Sequence, residues 1–436
     1  MTRVVITGIG LITGLGIGTD STWRSLVEGR SAVGPIRGYD ASSLQSRLGA
    51  EILDFAPDSF VTDRRTLRMM TRGDQLAYAA ACMALEDAGY APAGVPGDGT
   101  ALFLGGGKEV CDLDHLAPAL EAARRPDGSA DIRAFGEASS EVYPLFYVEG
   151  LPGSAVFYLS KGFGLTGPGA YYAGTAEAGV VAIGTAFRAI KRGEAEIALA
   201  GASDDAVSPW SLGKLDGMGL LTDRNELGPA ACRPFERARS GTVVGEGAAI
   251  LVLEALERAQ ERGAHIVAEV VGFGSAIDAD GLTPDPHGTA VAAAIRGAWR
   301  ESGSGSSEPG GYFAHGSGTV LGDLSEAQGL HQVFSSSTAD VAVTSVKPAT
   351  GHLVAAAGAL NVALAALALD RECIPPTLNL DEPDPACDLD VVSGAARSAR
   401  LDSALAAGRG QQGQCSVIEL RRGLDDGDEV RARHGA

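Results

Sequence analysis

The sequence predicts a layered α/β protein, and three observations carry that prediction. Segments of β character and segments of helical character alternate from the first residues onward, the pattern of strands backed by helices. Gly supplies 60 of the 436 residues, roughly double its usual share of ~7%, and aromatics only 6%. The layers must therefore approach closely on small side chains. Apolar residues at 45% and charged residues at 21% are the proportions of a globular protein, and the length exceeds what one hydrophobic core organises.

Residues 4–7 (VVIT) read as a short strand ending in a turn at Gly8-Ile9-Gly10. The basic stretch 62–72 (TDRRTLRMMTR) reads as one helix, with Arg64, Arg68 and Arg72 at i, i+4 and i+8 on a single face. Residues 77–88 have helical composition and stop at Gly89, a natural C-cap. A strand is expected at 101–104, a small-residue helix at 178–190 stopped near Gly193, and a buried strand at 197–201. Residues 248–256 begin as an apolar strand and run into a charged helix at 257–262. The stretch 302–311 (SGSGSSEPGG) reads as a flexible surface loop. A strand at 341–345 leads through a polar loop to 353–369 (LVAAAGALNVALAALAL), a helix apolar nearly all round and so buried. This helix and the one at 178–190 share a character that fits either an internal duplication or two ordinary core helices. Residues 421–436 are expected to form a charged, solvated tail.

The charge balance, 35 − 55 = −20, argues against a general nucleic-acid binder and against binding to an anionic membrane. No uncharged apolar run reaches 18 residues, and the N-terminus lacks the features of a secretory signal. Cys82, Cys111, Cys232, Cys373, Cys387 and Cys415 form no C-x-x-C pair, so neither a disulfide framework nor a zinc site is suggested. Gly8-x-Gly10 fails the dinucleotide fingerprint because position 13 is Thr13. A cytoplasmic protein without metal or cofactor is expected.

The chemistry-bearing residues concentrate in two Gly-rich loops. One is Ala314-His315-Gly316-Ser317-Gly318-Thr319, followed by Gly322, Asp323 and Glu326. The other is Ser345-Val346-Lys347-Pro348-Ala349-Thr350-Gly351-His352, after a strand and before the buried helix. Strand ends of α/β folds are where active sites collect.

On these residues the chain resembles the β-ketoacyl synthases of the thiolase superfamily, from Val4 to about Leu420. The family's H-G-T-G-T loop is present as His315 to Thr319, its K-x-x-x-G-H loop as Lys347 to His352, and its G-E-G-A segment as Gly245 to Ala248, preceded by Arg233-Pro234-Phe235. The resemblance implies a thiolase fold, two similar α/β halves in αβαβα layers, at 1–255 and 256–424, with the charged tail at 425–436. Such enzymes condense an acyl group with a malonyl unit on acyl carrier protein. A Cys at the start of a buried helix carries the chain, and two His residues serve decarboxylation.

The departures are specific. The family's C-T-S-G-V-H-N-I-G loop fits 176–184 without a gap and places Ala176 at the Cys position. Ala keeps the helix-terminal N–H groups and removes the nucleophile. Thr175 and Glu177 are expected to project elsewhere. The gating F-G-F-G-G-T-N loop corresponds to 409–415, where Arg409 and Gln411 replace both Phe residues. Residues 407–410 (AGRG) instead resemble the G-R-G motif of chain-length factors, the nucleophile-less partners of ketosynthases in type II polyketide systems, and Ser208-Pro209-Trp210 resembles a turn of the same proteins. The resemblance implies two partners, a ketosynthase α subunit and acyl carrier protein. It puts 108–120 at the dimer interface, with Val110, Cys111 and Asp114 walling the partner's tunnel, and the carrier protein on Arg64, Arg68 and Arg72. His315, His352 and Lys347 are retained, either as decarboxylation machinery or as ties between loops. Three other readings stand: a condensing enzyme with its Cys replaced by Ala, a malonyl decarboxylase-like homologue, and a homodimeric binder of carrier protein.

Overall fold

In the computed structural model, which describes residues 2–90, 94–107, 113–280, 283–304, 309–334 and 340–423, the chain opens with a buried strand, β1 (Val4–Thr13). Gly8 and Gly10 lie inside this strand and not in a turn, because the apolar run continues through Leu11 and Ile12. The basic stretch then breaks in two. A short helix α1 (Arg64–Leu67) is capped by Asp63, whose carboxylate accepts the Arg65 N–H. Thr71 caps a separate helix α2 (Arg72–Asp87) in a capping box with Asp74. Arg64, Arg68 and Arg72 therefore do not share one helix face; the cap signal at Thr71 prevails over continuation. The two glycines of β1 exist for α2, since a Cβ at Gly8 would collide with the carbonyl oxygen of Ala84 and one at Gly10 with that of Ala80.

The first half continues with β2 (Ala101–Gly106), α3 (Leu113–Ala123), α4 (Ser154–Phe163), β3 (Gly169–Ala173), α5 (Ala176–Lys191), β4 (Ile197–Asp204) and β5 (Gly247–Ala255). The second half repeats the plan with β6 (Ala268–Ile277), α6 (Thr289–Ser302), β7 (Gly311–Phe313), α7 (Val320–Phe334), β8 (Ala342–Thr344), α8 (Ala356–Arg371), β9 (Ser403–Arg409) and β10 (Gln414–Arg422). The strands join in one 11-stranded sheet in the order β8-β7-β9-β10-β6-β1-β5-β4-β2-β3. The eleventh, Gly16–Ile17, hairpins onto β1. Outward from the β1–β6 junction, each half runs through its first, fifth, fourth, second and third strands. The strand senses match as well: β2 is parallel to β3 and β4 as β7 is to β8 and β9, and the remaining pairs are antiparallel in both halves. The internal duplication is real.

Helices α5 and α8, each 16 residues long, pack together between the two halves of the sheet, while α2 covers β1 and β5 and α6 covers β6 and β10 on the outside. The result is the αβαβα layering. Residues 356–369 of α8 are all buried, as expected of a helix apolar all round, and a Cβ at Gly358 would collide with the carbonyl oxygen of Ala176. The two ends of the sheet differ. Edge strand β8 is buried and bridged by Val391. Edge strand β3 pairs only with β2 among the described residues and is partly exposed. Among the described residues, more than half of the exposed large apolar side chains lie between residues 120 and 157, in the excursion that leads to β3.

Ser302 ends α6 and Gly311 begins β7, so those ends of the expected loop are structured, and residues 305–308 lie outside the described residues. Arg421 and Arg422 belong to β10; residues 424–436 of the expected tail lie outside the description. No helix among the described residues is long and apolar enough to cross a membrane.

Candidate functional site

Ala176 is the first residue of α5 and is wholly buried, at the place where a nucleophile would gain from the helix N-terminus. Glu177 does not project away from it. Its carboxylate folds back over the helix head, accepting the Thr175 N–H at 3.2 Å on both oxygens and the Thr175 hydroxyl at 2.9 Å. The Thr175 hydroxyl in turn accepts the Gln411 N–H at 3.2 Å. The loop after β9 thus lies directly on the head of α5.

The same strand end reaches the histidines. The Arg409 N–H points at His315 Nδ1 from 3.4 Å, and the His315 and His352 rings meet edge to face with centroids 5.3 Å apart. Each loop is held by its backbone. Glu326 of α7 accepts the N–H groups of His315 (2.8 Å) and Gly316 (2.7 Å) and the Tyr312 hydroxyl (2.9 Å). Asp323 accepts the N–H groups of Gly318 (3.0 Å) and Phe235 (2.9 Å). Lys347 donates to the His315 carbonyl oxygen. His352 is pinned to the G-E-G-A segment, its N–H donating to the Val243 carbonyl (2.7 Å) and its carbonyl accepting the Gly245 N–H (3.0 Å). Gly351 turns the chain there at φ 68°, a conformation that favours glycine. Val354, just beyond, is held at φ 41°, rare for a β-branched residue.

Burial governs the electrostatics. It pushes the His315 imidazole well below its ordinary 6.5, with Lys347, His352 and Arg409 adding to the effect. It pushes His352 the same way, Lys347 again contributing. The Lys347 ammonium is pushed down to about 8 by burial, against the pull of Glu326. Two neutral imidazoles beside a cation can each donate one ring N–H to a carbonyl or carboxylate oxygen without charging themselves. Among the described residues His352 Nδ1 has no hydrogen-bond partner. His315, His352, Thr319, Gln411, Leu220 and Met218 help line a cavity of about 110 Å³.

Arg409 also lines this cavity. Its guanidinium is buried, pairs with Asp278 and donates to the Ser325 hydroxyl at 2.8 Å. Arg72 is partly exposed and pairs with both oxygens of Glu246 and with the Ile52 carbonyl at 2.8 Å. Arg64 and Arg68 are exposed. Val110 and Cys111 lie outside the described residues, and Asp114 is exposed in the first turn of α3. Ser208 caps a helix at Pro209–Gly217.

Sequence reasoning missed three groups. Asn361 donates from the middle of α8 to the Ala314 (3.0 Å) and Ala407 (2.8 Å) carbonyls, tying both strands that carry site loops; its signal was being the one polar residue within 353–369. Asp278 and Ser325, which hold Arg409, carry no local signal.

Comparisons with known proteins identify the family. Residues 1–259 match the family model for the β-ketoacyl synthase N-terminal domain, and residues 267–381 that for the C-terminal domain. The chain is 33% identical over 427 residues to 3-oxoacyl-[acyl-carrier-protein] synthase 2 of Coxiella burnetii, covering 97% of this chain and 99% of the relative. It is 36% identical over 424 residues to the tetracenomycin polyketide synthase ketoacyl synthase alpha subunit of Streptomyces glaucescens, covering 96% and 97%. Among solved structures, the ishigamide ketosynthase/chain length factor superposes with a TM-score of 0.86 at 31% identity, over 97% of this chain and 100% of that one. With both halves of the chain matched and relatives above 30% identity covered almost end to end, the chain belongs to the β-ketoacyl synthase family.

Proposed function

We propose that this chain is the non-catalytic chain-length-factor subunit of a type II polyketide ketosynthase, pairing with a Cys-bearing partner that condenses acyl and malonyl units on acyl carrier protein. The observation that carries the proposal is Ala176, buried without a nucleophile at the head of α5. Covalent catalysis has no atom to use there. The similarity to a ketosynthase/chain length factor structure supports the reading, as does the open edge of β3 beside exposed Phe157 and Leu151, because obligate interfaces are large and apolar. In the proposed pair, residues 108–120 wall the partner's tunnel, and Arg64 and Arg68 contribute to carrier-protein docking.

Co-expression with a Cys-bearing ketosynthase, followed by size exclusion and intact mass analysis after a Cys-directed β-lactone or epoxide, tests the proposal. A one-to-one complex modified only on the partner is expected. A stoichiometric adduct mapped to residues 170–185 of this chain, or a stable homodimer that refuses the partner, would sink it.

A second reading, malonyl decarboxylation by this chain, is favoured by the unpartnered Nδ1 of His352 beside His315 in the cavity. Carbon dioxide release from malonyl-carrier protein that disappears in both His315→Asn and His352→Asn would establish it.

A further inference from the structure

We infer that Glu177 is a lock built onto the head of α5, one that keeps position 176 unreactive independently of the missing thiol. The inference rests on Ala176 standing at the nucleophile position and not on the identity of any partner. An acyl group carried at 176 would need backbone N–H groups of the helix head and of the facing loop to stabilise the oxyanion that develops on its carbonyl. Here the facing loop's donor, the Gln411 N–H, is spent on the Thr175 hydroxyl, and that hydroxyl is spent on Glu177. The carboxylate occupies space that two glycines leave open: a Cβ at Gly174 would fall 2.5 Å from one oxygen, and one at Gly410 2.6 Å from the other. Glu177 is buried, so its contacts are not diluted by solvent.

The charge acts in the same direction as the contacts. A helix N-terminus favours a thiolate because its N–H groups present partial positive charge. A carboxylate over that terminus offsets the favour and adds like-charge repulsion toward both a thiolate and an oxyanion. The family motif carries Thr where this chain has Glu177, so the lock and the lost Cys are separate changes.

Thiol chemistry at position 176 tests this in the full-length chain, with no partner or carrier protein present. Three variants are compared: Ala176→Cys, Ala176→Cys/Glu177→Thr and Ala176→Cys/Glu177→Gln. The thiolate at 176 displaces iodide from iodoacetamide, and peptide mass mapping separates that site from the native cysteines. The Thr double variant is expected to react about tenfold faster or more, with the midpoint of its pH profile lower by about one pH unit. The Gln variant, which keeps the bulk and drops the charge, is expected to show the lowered midpoint with an intermediate rate. Equal rates and midpoints for Ala176→Cys alone and for the Thr double variant would overturn the lock. Should the double variants fold poorly, Ala176→Cys alone decides: a midpoint at or below the ordinary thiol value of about 8.5 would overturn it. Failure of the partner experiment would leave this outcome untouched.

Discussion

His315 and His352 make the interior of this protein sensitive to acid. Both imidazoles are held below 6.5 in the folded chain, so as pH falls the unfolded chain takes up the protons first. Stability is therefore complete above about 6.5 and declines as pH drops toward the folded values, by up to about 1.4 kcal/mol per pH unit for each group. Asp323 acts in the opposite sense: burial pushes it up to about 6, so the folded chain binds its proton first and gains stability as pH falls below that value. The double variant His315→Asn/His352→Asn keeps Asp323 and isolates the imidazoles. Urea unfolding at pH 7.5 and 5.5 should show a loss in the parent that shrinks by about 1–2 kcal/mol in the double variant; an equal loss in both would refute it. At this scale the sequence was legible where chemistry is local. His315, Lys347 and His352 were readable from their Gly-rich loops, because such loops serve few other purposes. The conformation of Glu177 was not, since a loop from the far end of the chain fixes it.

Elements were read best where one force sets them. The stretch 353–369, apolar but for Asn361, becomes α8, delayed to Ala356 because Val354 is held in a left-handed conformation first. Gly8 and Gly10 were misread because glycine serves a turn and a close approach equally well, and only the packed helix α2 tells them apart. Arg64, Arg68 and Arg72 kept helical spacing across a cap that ends the helix. The β1–α2 contact gives a direct test. Gly10→Ala should destabilise the protein by about 1–3 kcal/mol, since its Cβ meets rigid backbone. Gly136→Ala, where a Cβ meets nothing within 4 Å inside a short exposed helix, should be neutral or stabilising by up to about 1 kcal/mol. Thermal unfolding of both variants decides, and equal shifts would refute the packing argument.

For the whole molecule, the asymmetry of the sheet's two ends matters most. If the β3 edge and its apolar surroundings bind the partner, Phe157→Asp should weaken the co-expressed complex by roughly 30-fold, as loss of a hot spot does, while the isolated chain unfolds at an unchanged temperature because Phe157 is 56% exposed. Undiminished pairing would move the interface elsewhere. The duplication was half legible, from the kinship of two helices; the identical strand order was not, because pairing between distant segments leaves no local trace. That duplication extends to the heads of the two central helices. The residue before α8, Ala355, gives its N–H to a carboxylate, that of Asp204 at the end of β4, just as Thr175 before α5 gives its N–H to Glu177. Each helix thus has a carboxylate accepting the N–H of the residue just before it, from within the helix at α5 and from the end of β4 at α8.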